Sequence, residues 1–210
     1  TRRGYGKYIM KDLTSILVPL PYTTKPESLW HYTTPAGALG IISNNCLWAS
    51  SPQVMNDTSE VSYGAEMVKS ITGKWLSITT DDRTSQILRG IINYNIYERL
   101  STGAYYFSAS EEGDLLNQWA HYSKAGGYAI KLNPSSELQV GEKPLPYPVR
   151  DLDVFPGWWS VIYSRQEQES AIETILYFIV DHQDINSSVE RNVNGAINYL
   201  CIIICMIKHP

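Results

Sequence analysis

The first regular pattern along the chain lies at 29–32, where Leu, Trp and Tyr favour a β-strand. Thr34 is a typical helix N-cap residue and Pro35 suits the first helical position. We therefore predict a short helix that continues through 36–42 and ends at a pair of asparagines. A second strand is predicted over 46–50. This part of the chain thus alternates strand and helix.

Polar side chains accompany both of these predicted strands. His31 lies between aromatic residues near the end of the first strand, and a cluster that contains Asn56, Asp57 and Glu60 opens the next helix. Because open α/β sheets bind ligands beyond the carboxyl ends of their strands, these groups are candidates for one cleft. Asn56 or Asp57 also suits a helix cap, with Glu60 completing a capping box, and the pattern is equally compatible with that structural role.

Amphipathic helical periodicity and short aromatic or β-branched runs alternate along the rest of the chain. Helices are predicted over 60–76, 82–100, 115–124, 166–182 and 187–208, and strands over 105–109, 128–132 and 160–163. This order predicts an α+β fold with a split, mixed β-sheet and flanking helices. Residues 1–26 are expected to form an N-terminal arm, and 27–210 a single α+β domain.

The composition is that of a globular protein, with 43% hydrophobic and 18% charged residues. A net charge of −4 gives the chain no general attraction for a nucleic-acid backbone. The apolar segment 200–207 is too short to span a bilayer, so we expect a buried helix with Cys201 and Cys205 reduced on one face. The cysteines have no zinc-ligand spacing, and no secretory signal is recognisable. A cytoplasmic protein without membrane attachment is therefore expected.

Four separated motifs carry a resemblance over about residues 29–133. They are His31-Tyr32-Thr33 with the Leu-Trp-Ala-Ser of 47–50, the Asn-Asp-x-x-Glu of 56–60, the Tyr-Phe-Ser-Ala-Ser-Glu of 106–111, and the Gln-Trp-Ala-His-Tyr of 118–122, closed by Gly-Gly-Tyr-Ala-Ile at 126–130. In this order they resemble an uncharacterised bacterial domain family found in phage-defence and toxin contexts. The opening motif is similar in turn to the first motif of ADP-ribosyltransferases of the diphtheria-toxin and poly-ADP-ribose-polymerase type.

This resemblance implies an ADP-ribosyltransferase-like fold that binds NAD and transfers ADP-ribose to a macromolecular acceptor, either protein or nucleic acid. Such a toxin or defence effector would have an antitoxin or immunity protein as a partner. His31 would bind the ribose on the nicotinamide side, the backbone of Thr33 would hold the carboxamide, and Tyr122 would stack on nicotinamide. The further residues predicted to bind NAD are Tyr32, Ser50, Asn56, Asp57, Ser108 and Trp119. Packing in the core is the favoured role for Trp119, and a purely structural role is the ordinary alternative for His31.

Cleavage of NAD passes through a cationic ribosyl species that a glutamate can stabilise. In the resembled family Lys-His-Pro is followed by a Glu-rich segment, so the resemblance implies a catalytic glutamate after Pro210. Within the sequence the alternatives are Glu60, Glu111 and Glu112, of which Glu60 is our catalytic candidate. Two rival functions stay open. One is a catalytically inactive ligand-sensing or protein-interaction module of the same fold, and the other is a metal-dependent nuclease that uses Asp57, Glu60 and Glu111, although no spacing requires a metal.

We also expect residues at the ends of several helices and strands to line one cleft. Those residues are His31, Thr33, Ser50, Asn56, Ser108 and Tyr122.

Overall fold

The computed structural model describes residues 26–51, 59–103, 105, 107–122, 126–136, 158, 160–183 and 185–208. Across these residues the elements are β1 (Leu29–Thr33), α1 (Pro35–Asn44), α2 (Ser59–Ile78), α3 (Asp82–Asn93), α4 (Ile96–Gly103), α5 (Leu116–Tyr122), β2 (Tyr128–Leu132), α6 (Arg165–Asp181) and α7 (Val189–Met206). The fold is α+β. Residues 1–25 of the arm predicted over 1–26 lie outside the described residues.

The chain divides into two compact units. The described part of unit 1 comprises 26–49, 107–122, 126–136, 158 and 160–161, and that of unit 2 comprises 50–51, 59–103, 105, 162–183 and 185–208. Unit 1 thus holds β1, α1, α5 and β2, whereas unit 2 holds the other five helices. The single domain expected over 27–210 stays a prediction.

Unit 1 is built on the antiparallel pair of β1 and β2. Their register places Leu29 opposite Leu132 and Thr33 opposite Tyr128. At the end of β1 the Thr34 side chain accepts a hydrogen bond from the backbone N–H of Gly37 at 3.1 Å, which caps α1. Both predicted strands and this helix start are confirmed.

The second edge of β1 is covered by the segment that precedes α5. The backbone of Trp30 exchanges two hydrogen bonds with that of Ser110, at 2.7 and 2.8 Å. Within the described part of 105–110, this isolated bridge is the only strand pairing. The strand predicted over 105–109 is therefore wrong. The strand predicted over 46–50 is also wrong, because 46–49 have no regular structure and Trp48 stays 77% exposed. An aromatic residue favours a strand only where a neighbouring surface packs against it.

Unit 2 is a helical bundle in which α7 packs against α2, α3 and α6. Its core consists of aliphatic side chains with almost no exposure, among them Ile87, Leu88, Ile172, Leu176, Leu200 and Ile203. The buried helix predicted around 200–207 is confirmed, with its regular part ending at Met206. Within the described ranges, every helix is too short or too polar to cross a membrane.

Two further predictions for unit 2 need correction. The helix predicted over 82–100 is two helices, because Tyr94 is extended and the Asn95 side chain accepts a hydrogen bond from the N–H of Glu98 at 3.1 Å. Asn95 thus caps α4. The strand predicted over 160–163 is a single parallel bridge between Ile162 and Ile207. The backbone of Ile162 donates to the Met206 carbonyl at 2.7 Å and accepts from the N–H of Lys208 at 3.1 Å.

Candidate functional site: the His31 face of unit 1

His31 lies in the middle of β1, where its imidazole contacts the segment before α5. Its Nδ1 is 2.9 Å from the backbone carbonyl oxygen of Ser108. The Phe107 ring lies against the imidazole, with 4.2 Å between centroids and a 33° tilt. Two neighbouring residues of one segment therefore fix both the position and the plane of the imidazole.

The contact with Ser108 determines which ring nitrogen of His31 carries the proton. A carbonyl oxygen only accepts hydrogen bonds, so Nδ1 must be the donor. Burial lowers the pKa of His31 below its ordinary value of 6.5, and the hydrogen bond to Ser108 opposes this with a smaller effect. The imidazole is therefore neutral at pH 7, and Nε2 has a lone pair that can accept a hydrogen bond. Among the described residues the structure gives Nε2 no hydrogen-bond donor.

The pleat of β1 assigns its side chains to two faces. Alternation places Leu29, His31 and Thr33 on one face, which we call the His31 face, and Trp30 and Tyr32 on the other. Consistent with this, the ammonium group of Lys131, which lies opposite Trp30 in β2, is 5.6 Å from the centroid of the Trp30 ring.

Tyr32 and Trp119 are packing residues on the face opposite His31. Tyr32 is only 4% exposed, and its hydroxyl both donates to the carbonyl of Glu112 and accepts from the N–H of Leu115, each at 2.8 Å. The Trp119 ring meets the Tyr32 ring edge-on at 4.9 Å, while its indole N–H donates to Asp114. The favoured packing role of Trp119 agrees with these contacts. The NAD-binding roles implied for the two side chains receive no support from this geometry, because their polar atoms are already hydrogen-bonded.

Thr33 lies at the end of β1 on the His31 face. A Cβ built on Gly37 would come within 2.2 Å of the Thr33 hydroxyl oxygen, so a larger residue at 37 would require the Thr33 side chain to shift. Directly opposite Thr33 in β2 is Tyr128, whose side chain is 56% exposed. Tyr128 therefore shares the His31 face, although no role for this residue of the closing motif followed from the sequence.

Tyr122 lies one helical turn beyond Trp119 on α5 and is 48% exposed. Residues three apart on a helix share a side, and the Trp119 side of α5 packs against Tyr32. This packing directs α5 toward the face of β1 opposite His31. The stacking role of Tyr122 stays a prediction, since the structure shows no contact that brings it to His31.

The other predicted site residues belong to unit 2 or lie outside the described residues. Asn56 and Asp57 are outside, and so are the capping roles considered for them. Ser50 is exposed and lies in unit 2. The Glu60 carboxylate forms an ion pair with the Lys208 ammonium group, and both side chains are largely buried. Glu60 thus ties the first turn of α2 to the segment after α7, and its catalytic role and the single predicted cleft stay predictions.

Phe107 and Trp158 extend the aromatic contacts beside His31. The Phe107 ring is edge-on to the Trp158 ring at 6.0 Å, and the indole nitrogen of Trp158 is buried without a hydrogen-bond partner in the described structure. Phe107 stood in one of the sequence motifs, but nothing local showed that it would stack on His31. A contact between residues 76 positions apart is set by tertiary structure.

A metal site and a ligand pocket are the two other kinds of site that the described residues could form. No group of three histidine, cysteine or carboxylate side chains there is arranged to hold a metal ion. A groove of about 230 Å³ in unit 2 is lined by residues of α2 and of the junction between α3 and α4, including Lys69, Tyr94 and Tyr97. None of the predicted site residues lines it, and ligand pockets have volumes of about 300 Å³ or more.

Comparisons of the chain with protein-family models, with curated proteins and with solved structures give no match. A function can therefore be inferred only from the geometry of the His31 face and from the resemblance of the sequence motifs.

Proposed function

We propose that the protein is an NAD-dependent ADP-ribosyltransferase-like toxin or phage-defence effector, and that unit 1 holds NAD at the His31 face. The observation that carries the proposal is the hydrogen bond between His31 and Ser108, at 2.9 Å. It holds a neutral imidazole in the middle of β1 with an accepting nitrogen. A ribose hydroxyl is a suitable donor to that nitrogen, and the motif resemblance implies the same contact.

Thr33 supports this proposal through its backbone. It follows His31 by two residues at the end of β1 and precedes the capped start of α1. The resemblance implies that this backbone holds the carboxamide of nicotinamide. An antitoxin or immunity protein would accompany such an effector as its partner.

In the proposed transfer, the bond between the ribose C1′ and the nicotinamide nitrogen breaks and nicotinamide leaves with the electron pair. A nucleophilic group of the macromolecular acceptor bonds to C1′ and loses a proton. A carboxylate near the ribose would stabilise the positive charge that develops. Glu60 is engaged by Lys208, and we assign the catalytic carboxylate to none of the described residues.

Isothermal titration with NAD tests the binding step. His31→Ala removes the accepting nitrogen, so the affinity for NAD should fall by roughly threefold to tenfold. His121→Ala is the matched control, because His121 is an exposed histidine in unit 1. Absence of NAD binding by the unaltered protein would refute the proposal. A lowered melting temperature of His31→Ala with an unchanged NAD affinity would assign His31 a structural role instead.

The ion pair of Glu60 favours a second candidate function, a module that binds NAD without turning it over. Nicotinamide release distinguishes the two. An ADP-ribosyltransferase releases nicotinamide from NAD in the presence of its acceptor or, more slowly, with water as the acceptor. A binding module leaves the NAD concentration unchanged over the same period while retaining the dependence of affinity on His31.

A further inference from the structure

We propose that two copies of this chain associate through the exposed side of α1 and the neighbouring Trp48. The exposed side of α1 carries Leu39 and Ile42, which are 67% and 72% exposed. Residues three apart on a helix are neighbours on its surface, so these two side chains form one apolar strip. Ala38, by contrast, is 4% exposed, so α1 has one buried side and one side without a partner in the described structure.

Trp48 adds the largest side chain to this region, and we call Leu39, Ile42 and Trp48 together the α1 surface. Trp48 follows the C-cap residue Asn45 by three residues, so its Cα lies within about 11 Å of the end of the helix. Its side chain is 77% exposed, and the indole N–H donates to the sulfur of Cys46 at 3.2 Å, which orients the ring. Tryptophan is among the residues that contribute most to protein interfaces. An oriented, exposed indole beside an apolar helix is therefore typical of a contact surface.

The sequence around the α1 surface carries no charged side chain. From 28 to 56 there is no Asp, Glu, Lys or Arg, although a stretch of this length would hold about five at the 18% average of the chain. In a contact with two-fold symmetry, residues near the axis meet their own copies, so a charge there would face a like charge. An uncharged surface avoids this repulsion and is complementary to itself. A second copy of the chain is therefore the partner that the α1 surface fits.

Two other kinds of partner fit this surface less well. A protein that binds through electrostatic complementarity needs charged groups to pair with, and the sequence from 28 to 56 supplies none. Helices that lie in a membrane interface carry Lys or Arg on their polar side. The first turn of α1 has no acidic residue and its last turn has no basic residue. The composition of α1 thus favours another protein surface that is also apolar and uncharged.

The size of the α1 surface sets the expected strength of the contact. A standard interface buries about 800 Å² on each partner, and three exposed side chains that include one tryptophan supply roughly half of this area. Contacts of that size are weak, so we expect a dissociation constant in the micromolar range. Close approach is possible at Gly40, the neighbour of Leu39, because a Cβ built there would meet nothing within 4 Å.

Sedimentation velocity of the full chain tests the proposal over a concentration range of about 1 to 200 µM, which brackets this affinity. The unaltered protein should change from the mass of one chain to that of two across the range. Ile42→Glu should require at least about tenfold more protein to dimerise, because a charge would be buried in an apolar contact. Ile78→Glu is the matched control, since Ile78 is also a helical isoleucine and is 79% exposed, but belongs to unit 2. It should dimerise as the unaltered protein does, and circular dichroism should show the same helix content for both variants.

A pair of charged variants at Leu39 tests whether the contact has two-fold symmetry. Leu39 lies in the middle of α1, so its copy should be its neighbour where the two helices cross. Leu39→Glu and Leu39→Lys should each be monomeric, since like charges would meet. An equimolar mixture of the two variants should recover the two-chain mass, because opposite charges then face each other. If each variant is monomeric and the mixture is monomeric as well, the symmetric contact is refuted.

Other results would also overturn the proposal. An unaltered protein that stays monomeric up to about 200 µM has no such dimer. Equal loss of the dimer in Ile78→Glu would place the contact elsewhere, and an assembly of more than two chains would exclude a closed two-fold contact. Flotation with phosphatidylcholine vesicles examines the membrane as the occupant. If the unaltered protein floats with the vesicles and Leu39→Glu does not, the α1 surface binds lipid and the proposed dimer is wrong.

Discussion

The buried side chain of Gln168 donates from Nε2 to the backbone carbonyl of Lys208, at 2.6 Å. The same nitrogen donates to the carbonyl of Ile162 at 2.7 Å, and the Tyr63 hydroxyl donates to Oε1 at 3.0 Å. One amide on α6 thereby satisfies polar groups from α2, from the segment before α6 and from the segment after α7. This arrangement explains why a polar side chain is fully buried in an otherwise aliphatic region.

Gln168→Leu should lower the free energy of unfolding by about 2 to 3 kcal/mol, because it removes the side-chain donor to the Lys208 carbonyl and one of the two donors to the Ile162 carbonyl. Gln166→Leu is the matched control, since Gln166 is exposed on the same helix. Its effect should stay within about 0.5 kcal/mol. Denaturant unfolding of both variants measures the difference, and equal effects would contradict a structural role for the buried amide.

Gly113 is predicted to be intolerant of even a methyl group. A Cβ at this position would lie 2.5 to 2.9 Å from three atoms of the Trp30 ring, which is far inside normal contact distance. Gly113→Ala should therefore destabilise the protein by about 1 to 3 kcal/mol. In α1, by contrast, a Cβ on Gly40 would meet nothing within 4 Å. Gly40→Ala should stabilise the helix by about 0.5 to 1 kcal/mol, and thermal melts showing the opposite order would refute the packing of Trp30 on Gly113.

The lowered pKa of His31 predicts a dependence of stability on pH. Because burial favours the neutral imidazole, the unfolded chain binds more protons than the folded protein near and below pH 6.5. The stability that neutral His31 contributes is complete above that pH and is lost as the pH falls through the lower pKa of the folded state. The difference in free energy of unfolding between the unaltered protein and His31→Asn should therefore shrink on acidification. A difference that stays constant or grows, measured by denaturant unfolding at several pH values, would show that burial does not disfavour the charged form.

The three cysteines should differ in their reaction with a thiol reagent. Cys46 is exposed, Cys201 is buried, and Cys205 donates to the Cys201 carbonyl at 3.0 Å. In the native protein we expect rapid modification of Cys46 and slow modification of Cys201, with Cys205 between them. Cys46→Ser should remove the rapid phase. Rapid labelling of Cys201 in that variant would mean that α7 is not packed in the core.

Local signals explain which elements the sequence could predict. The start of α1 depends on Thr34 and Pro35, and its end on Asn45, which adopts a left-handed conformation with φ of 49°. The preference of each of these residues for a helix terminus does not depend on residues that are distant in the sequence. The apolar run of α7 likewise predicts its own burial. Asn95 is likewise a typical helix N-cap residue. Because the apolar periodicity continues through 82–100, the sequence nevertheless predicted one helix instead of two.

The candidate site was less predictable because it depends on pairing. The motif around His31 located a polar group at a strand end, but the sequence does not say which side of β1 faces α5. Only the register with β2 shows that Tyr128 shares a face with His31 and that Tyr32 does not. The anchoring of His31 by Ser108 similarly joins segments that no periodicity relates. Local preference therefore predicted the elements, whereas non-local contacts decide which side chains meet.

The pairing of Leu29 with Leu132 also has a consequence for biosynthesis. A ribosome adds about 5 to 20 residues per second, so β1 is made roughly 5 to 20 s before the strand that completes its sheet. The segment with Ser110, which covers the other edge of β1, also emerges late. During this interval an apolar strand with two open edges is exposed to other nascent chains, and such edges are templates for aggregation. The helices of unit 2 that emerge in between can fold through local contacts. In the nascent chain β1, the strand that carries His31, is therefore more prone to aggregation than these helices.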